Sequence, residues 1–154
     1  MTQPLWFFDE LVHVRISRDE TGDRFSVLEI AVPPASTPPL HVHHTEDEAF
    51  YVLEGSARFH FGSDVRDAKS GDSLLVRKGI PHTFIAGDEG ARFLVTTSPG
   101  DFERFVVAAS KPAEAPGLPP PALGPPTAEE QETLAQLAAE HGSELLGPPG
   151  TLPS

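Results

Sequence analysis

Short apolar runs in which buried-type and polar residues alternate fill the first hundred positions. Residues 11–17 and 25–32 are rich in Val, Ile and Leu, and the polar RDETGD stretch between them carries turn residues. The two runs should therefore pair as a hairpin. The pattern recurs at residues 48–53, 57–61, 65–68, 73–76, 83–85 and 91–97, with turns expected at Gly55, Gly62, Gly71 and residues 87–90. Many short strands with Gly and Pro punctuation and no long helix between them predict an all-β fold, an antiparallel barrel or jelly roll. Trp6, Phe7 and Phe8 stand before the first run as an apolar cluster, read as a lip or plug on the core, with a ligand contact the less favoured role.

Beyond residue 98 the period changes. Phe102, Phe105, Val106 and Ala109 recur at helical spacing, which predicts a short helix closing one end of the barrel. Residues 1–110 thus form a barrel with its closing helix. Residues 111–126 are dominated by Pro, Ala and Gly and are expected to be an extended linker. In residues 127–154, Thr127 and Glu130 have the spacing of a capping box, and Leu134, Leu137, Ala138 and His141 share one face of a helix that Gly142 can end. This amphipathic C-terminal helix packs either on its own barrel or on a partner subunit.

Composition narrows what the barrel can do. A chain of 154 residues with 38% hydrophobic content suits one domain with a real core. A net charge of -12 argues against nucleic acid or an anionic membrane as partner, because both repel an acidic surface. With no cysteine, neither a disulfide nor a thiolate metal site can form, so a metal must be held by imidazole and carboxylate. The segment MTQPLWFFDE has no basic flank, and no run approaches the roughly 20 apolar residues of a spanning helix. A cytoplasmic location is expected by default.

The chemistry concentrates in LHVHHTEDEAFYVLEG, residues 40–55. On a strand, the period of two puts His41 and His43 on one face. Glu48 follows after a gap long enough for a tight turn and opens a run that can pair back, so its carboxylate can face the imidazoles. A second block, GDSLLVRKGIPHTF, brings in His82 after a bend that Gly79 permits and Pro81 stiffens. Three imidazoles and one carboxylate suit one divalent transition metal: Fe, Ni, Mn, Co, Cu or Zn. In octahedral geometry two positions stay open for water, a chelating substrate or dioxygen, and Glu48 is the candidate catalytic base. His13, His60 and His141 are read as non-ligands. His44, Glu46 and Asp47 are rival donors close to the set. Phe50 and Val52 share the face of Glu48, and Phe84 and Ala86 that of His82, so alternation predicts that these four line the substrate pocket.

His41-x-His43, four residues, Glu48, six residues and Gly55 resemble the first motif of the cupin superfamily, and Gly71, Gly79 and His82 resemble the second. Three positions depart: Ala35 stands where the first motif opens with Gly, Arg77 where the second has Pro, and Ala86 where it closes with Asn. None of them supplies a ligand. The resemblance implies a conserved-barrel monocupin, a jelly roll of six to eight strands with a metal bound by His41, His43, Glu48 and His82, and a homodimer. PPLHVHHTEDEAFYVLEG and the C-terminal tail are similar to the quercetin dioxygenase-like group. That similarity implies ring-opening dioxygenation of a flavonol or related enol with Glu48 as base. Two alternatives stand beside it: a non-redox metal-dependent isomerase, decarboxylase or lyase, and a non-catalytic binding or sensing module.

Overall fold

A computed structural model describes residues 3–154; Met1 and Thr2, the start of the segment read as leaderless, lie outside the described residues. The strands are β1 (Leu5–Phe7), β2 (Glu10–Ile16), β3 (Ser26–Val32), β4 (Pro39–His43), β5 (Asp47–Phe61), β6 (Asp64–Lys69), β7 (Ser73–Val76) and β8 (His82–Ser98). Helix α1 (Asp101–Ala109), strand β9 (Lys111–Pro112), helix α2 (Ala128–Glu140) and strand β10 (Ser143–Pro149) complete the chain. All the pairings are antiparallel, as the alternating pattern of β3 and β5 demands when one face is buried.

Strand β8 is the hub. It pairs with β3, β4 and β5, while β5 also pairs with β6 and β7. The sequence predicts turns at Gly55 and at 87–90, yet β5 and β8 run unbroken through both places. What reads as a turn is a bend: the β5–β8 register shifts between Val52 and Glu54 and again between Gly55 and Ala57. Bulges of this kind let a long strand pass from one sheet of a sandwich to the other. Glycine is required at the bend for a steric reason. Gly55 has φ 72° and Gly90 φ 75°, and a Cβ on Gly55 would fall 2.1 Å from the carbonyl oxygen of Gly90.

Among the described residues ten strands form where the cupin resemblance implies six to eight, because short segments near both ends of the chain join the sheet. Strand β1 pairs with β2 on one side and with β9 on the other, so the proline-rich segment begins as an edge strand. The Trp6 indole N–H donates to the Gly117 carbonyl at 2.9 Å and holds that segment further along. Strand β10 pairs with β4, the strand that carries His41 and His43. Helix α2 starts with the predicted capping box at Thr127 and Glu130, buries Ala138, and packs against α1 and β10 of its own chain.

The core is aromatic at its centre. Phe50, Phe59, Phe84 and Phe93 are buried and in mutual contact, with centroids 4.9 Å apart for Phe50 and Phe59 and 5.2 Å for Phe84 and Phe93. At the other end Phe102 and Phe105 of α1 meet Phe7 of β1 edge-on at 6.2 and 5.5 Å. Such tilted contacts add to the burial of apolar area. Glu103 ties α1 to the β2–β3 hairpin by accepting from the Ser17 hydroxyl and the Arg18 amide. Glu29 points outward to Arg15 and Arg92 at 3.2 and 3.1 Å.

Two substitutions test this backbone reading. Gly55→Ala is expected to lower stability by about 3 kcal/mol or more, since both the positive φ and the backbone contact oppose a side chain. Ala35, the departure from the family's glycine, has φ 61° and is exposed. Ala35→Gly should therefore raise stability by about 0.5–1 kcal/mol, the relief of left-handed strain exceeding the added freedom of the unfolded chain. Urea unfolding midpoints check both.

Candidate metal centre

Four donors converge inside the barrel. His41 and His43 lie on β4, Glu48 is the second residue of β5, and His82 opens β8 directly opposite His41. One ligand atom from each of the four lies within 4.8 Å of all the others. Glu48 reaches two rings at once, with Oε1 3.0 Å from His82 Nε2 and Oε2 3.5 Å from His43 Nε2. His43, Glu48 and His82 are buried, and His41 is partly so. The bend before His82 is fixed where it meets the site: the Gly79 amide donates to the His43 carbonyl at 2.8 Å.

The outer ring nitrogens decide what the inner ones can do. His41 Nδ1 is 2.8 Å from the Pro39 carbonyl and His82 Nδ1 is 2.9 Å from the Ile80 carbonyl. A carbonyl only accepts, so both Nδ1 atoms carry hydrogen, and in the neutral ring each Nε2 is a lone pair. His82 Nε2 then faces the Glu48 carboxylate, an approach that needs a proton or a metal ion between them. His43 Nδ1 lies 3.0 Å from Glu46 Oε1 and 3.1 Å from Ser143 Oγ, while its buried Nε2 has no hydrogen-bond partner among the described residues. Three inward ring nitrogens, one of them the unpartnered His43 Nε2, and one carboxylate fit one divalent transition metal.

Charge agrees with that fit. Burial, reinforced by the charges of His82 and His43, holds His41 well below 6.5, so it is neutral at physiological pH. Burial would raise Glu48, but the charge of His43 and the hydrogen bond and charge of His82 outweigh it and bring the carboxyl to about 2. For His43, burial opposes protonation and is outweighed by the carboxylates of Glu48 and Glu46, so its pKa is raised.

The rival donors separate from the set. His44 is half-exposed and pairs with Glu144 at 3.0 Å. Asp47 accepts from the Lys78 amide outside the barrel. Glu46 turns inward behind His43 rather than toward the cluster, and its second oxygen accepts from the Phe102 amide at 3.1 Å. It orients the ring. His13 sits opposite Glu29 on the outer face of the β2–β3 pair, His60 faces the β6 edge, and His141 caps α2.

Of the four residues expected to line the pocket, Phe50 and Phe84 do. Val52 and Ala86 do not. Val52 is wholly buried in the core, and Ala86 lies by a surface depression beside Ser56 and Arg58 at the far end of the barrel. Alternation gives a face but not a depth: each lies four residues, about 13 Å of strand, beyond Glu48 or His82. The cavity over the cluster is about 50 Å³ and is walled by Phe7, Phe8, Phe102, Phe105 and Leu145 besides Phe50 and Phe84. The lip at Phe7 and Phe8 therefore does touch the ligand space. Glu10 lines it too. Glu46 could have been suspected from its place three residues after His43, but Ser143 and Leu145 come from a strand a hundred residues away in sequence.

The family comparison agrees with this geometry. Residues 28–97 match the cupin domain family. The barrel is a cupin fold. A relative, an uncharacterized protein of Methanocaldococcus jannaschii, is 33% identical over 73 residues, 47% of this chain and 56% of that protein. The chain thus spans little more than half the length of the curated relative it matches. Among solved structures, an RmlC-like cupin from Shewanella frigidimarina aligns with TM-score 0.54 and 16% identity over 64% of this chain and 85% of that one. The polyketide cyclase RemF from Streptomyces resistomycificus aligns with TM-score 0.52 and 24% identity over 80% and 78% of the two chains. At these identities the likeness concerns the cupin fold alone.

Three outcomes follow for the site. Glu46→Gln leaves all four donors in place, yet should weaken metal binding by about 10–100-fold through the loss of ring orientation, read by competition with a chelating dye. Metal affinity should also fall as pH drops through the raised pKa of His43, because that ring must lose its proton to bind. Without metal the signs differ by group. The depressed pKa of Glu48 stabilises the fold above 4.5 and that stability is lost as pH falls toward about 2, so Glu48→Gln should flatten the acid limb of the unfolding midpoint.

Proposed function

We propose that this cupin is a metal-dependent enzyme whose favoured reaction is dioxygenation of a compact enolic molecule. The observation that supports the reading is the combination of a three-His, one-Glu cluster with a wall almost wholly aromatic and aliphatic. Among the described residues no Lys or Arg lines the cavity, which disfavours sugar phosphates and other strongly anionic ligands. At about 50 Å³ the cavity is far too small for a three-ring flavonol, which favours a compact enol. The flavonol expectation is narrowed accordingly.

In this reading His41, His43 and His82 hold the metal with Glu48. When bound, the metal supplies Lewis acidity toward the enol oxygen and, where it is redox-active, the electron path to dioxygen. Glu48, ionised at neutral pH, accepts the proton as the enol O–H bond breaks, and the electron pair remains on oxygen. The phenylalanine wall orients the ring and keeps water from the reacting face. Phe8, 43% exposed and in contact with Phe7 at 4.5 Å, stands at the mouth. A cytoplasmic homodimer remains part of the proposal.

An oxygen electrode tests it with metal-loaded protein and a panel of compact enols beside a flavonol. The expected result is uptake of oxygen in proportion to substrate consumed, lost on chelation and reduced at least about 100-fold in Glu48→Gln. Turnover that continues without oxygen would instead establish a non-redox isomerase, decarboxylase or lyase. Binding with no product would leave a sensing module.

A further inference from the structure

The β1–β2 turn delivers a second carboxyl to the cavity, one that the metal cluster does not use. Phe7 pairs with Glu10, so the turn has only Phe8 and Asp9 at its tip, and Phe8 takes φ 55°, a conformation bulky residues rarely adopt. Asp9 is anchored by the Ser36 hydroxyl, which donates to Oδ2 at 2.7 Å. The turn so fixed presents Glu10 to the space occupied by His41, His43, Glu48 and His82. Glu10 is 5% exposed, and among the described residues its carboxyl has no hydrogen-bond or ion-pair partner. A carboxyl that borders the cavity without a protein partner is open to a ligand, and a group kept only for packing would be apolar.

We propose that Glu10 is the ligand's second polar contact, its carboxyl hydrogen-bonding a ligand oxygen other than the one that faces the His-Glu cluster. This rests on the reading that the cavity takes a compact enol. It adds what that reading lacks: a group that selects among enols by the substituent carried away from the chelating oxygens. Burial, then the negative charges of Asp9 and Glu48, hold the Glu10 carboxyl well above the usual carboxylate range. A carboxyl shifted in that direction holds its proton more readily, and with the proton on it can donate to a carbonyl oxygen as well as accept from a hydroxyl. The preferred ligand is an apolar ring or chain with a chelating hydroxyketone at one end and a single further oxygen.

Kojic acid and allomaltol are compact hydroxypyranones that differ by one hydroxyl, placed across the ring from the chelating pair. Calorimetric titration of both into metal-loaded wild type, Glu10→Gln and Glu10→Leu tests the proposal. In the wild type kojic acid should bind about tenfold more tightly, the worth of one buried hydrogen bond. Glu10→Gln should keep most of that preference, and Glu10→Leu should abolish it while changing allomaltol affinity by less than about threefold. The unfolding midpoint of Glu10→Leu should equal or exceed that of the wild type. A preference that persists in Glu10→Leu, or is absent from the wild type, overturns the proposal and leaves the enol reading standing. So does a lowered midpoint with both probes weakened alike, which would make Glu10 structural. Failure of both probes to bind the wild type overturns this proposal together with the enol reading.

Discussion

Three imidazoles and a carboxylate are buried together, and the 3.0 Å approach of Glu48 to His82 needs a proton or a metal ion between them. Each ring is locked from behind. Carbonyls at Pro39 and Ile80 claim the outer hydrogens of His41 and His82, and Glu46 with Ser143 claims that of His43. Rotation to relieve the crowding would abandon these buried hydrogen bonds, each of which costs free energy to leave unmade. The crowding of the cluster is therefore a property of the fold, and either a proton or a divalent ion held there would relieve it.

Much of the architecture serves to bring that cluster together. Strand β4 contributes two ligands because alternate residues share a face, but it needs neighbours on both sides to hold its backbone. Strand β8 supplies one, through the His41–His82 pair, and β10 supplies the other, from the end of the chain. The C-terminal segment also carries Ser143 to the back of His43 and Leu145 to the cavity wall. It is part of the site rather than an appendage to the barrel.

Strands β2 to β8, helix α1, the capping box and the four donors were legible because each depends on local period or spacing, whereas β1, β9 and β10 were not. What escaped depends on depth or on distant pairing. Val52 and Ala86 have the right face but lie too far along their strands, and nothing in alternation marks where a cavity ends. Gly55 and Gly90 read as turns because glycine with positive φ serves turns and bulges alike; only the close approach of the two backbones distinguishes them. Ser143 acquires its role from a strand pairing across a hundred residues, and Glu10 from a two-residue turn whose geometry no local composition announces.

His41, His43, Glu48 and His82 are the four donors that could hold a divalent metal in this barrel. Cobalt(II) titrated into metal-free protein, followed by its visible spectrum and by the unfolding midpoint, shows whether they do. Saturation is expected at a single equivalent per chain, with a spectrum of nitrogen and oxygen coordination and a midpoint that rises with the free ion. His82→Ala should remove all three. Absence of saturable binding in the wild type, or the same titration in His82→Ala, would contradict this assignment.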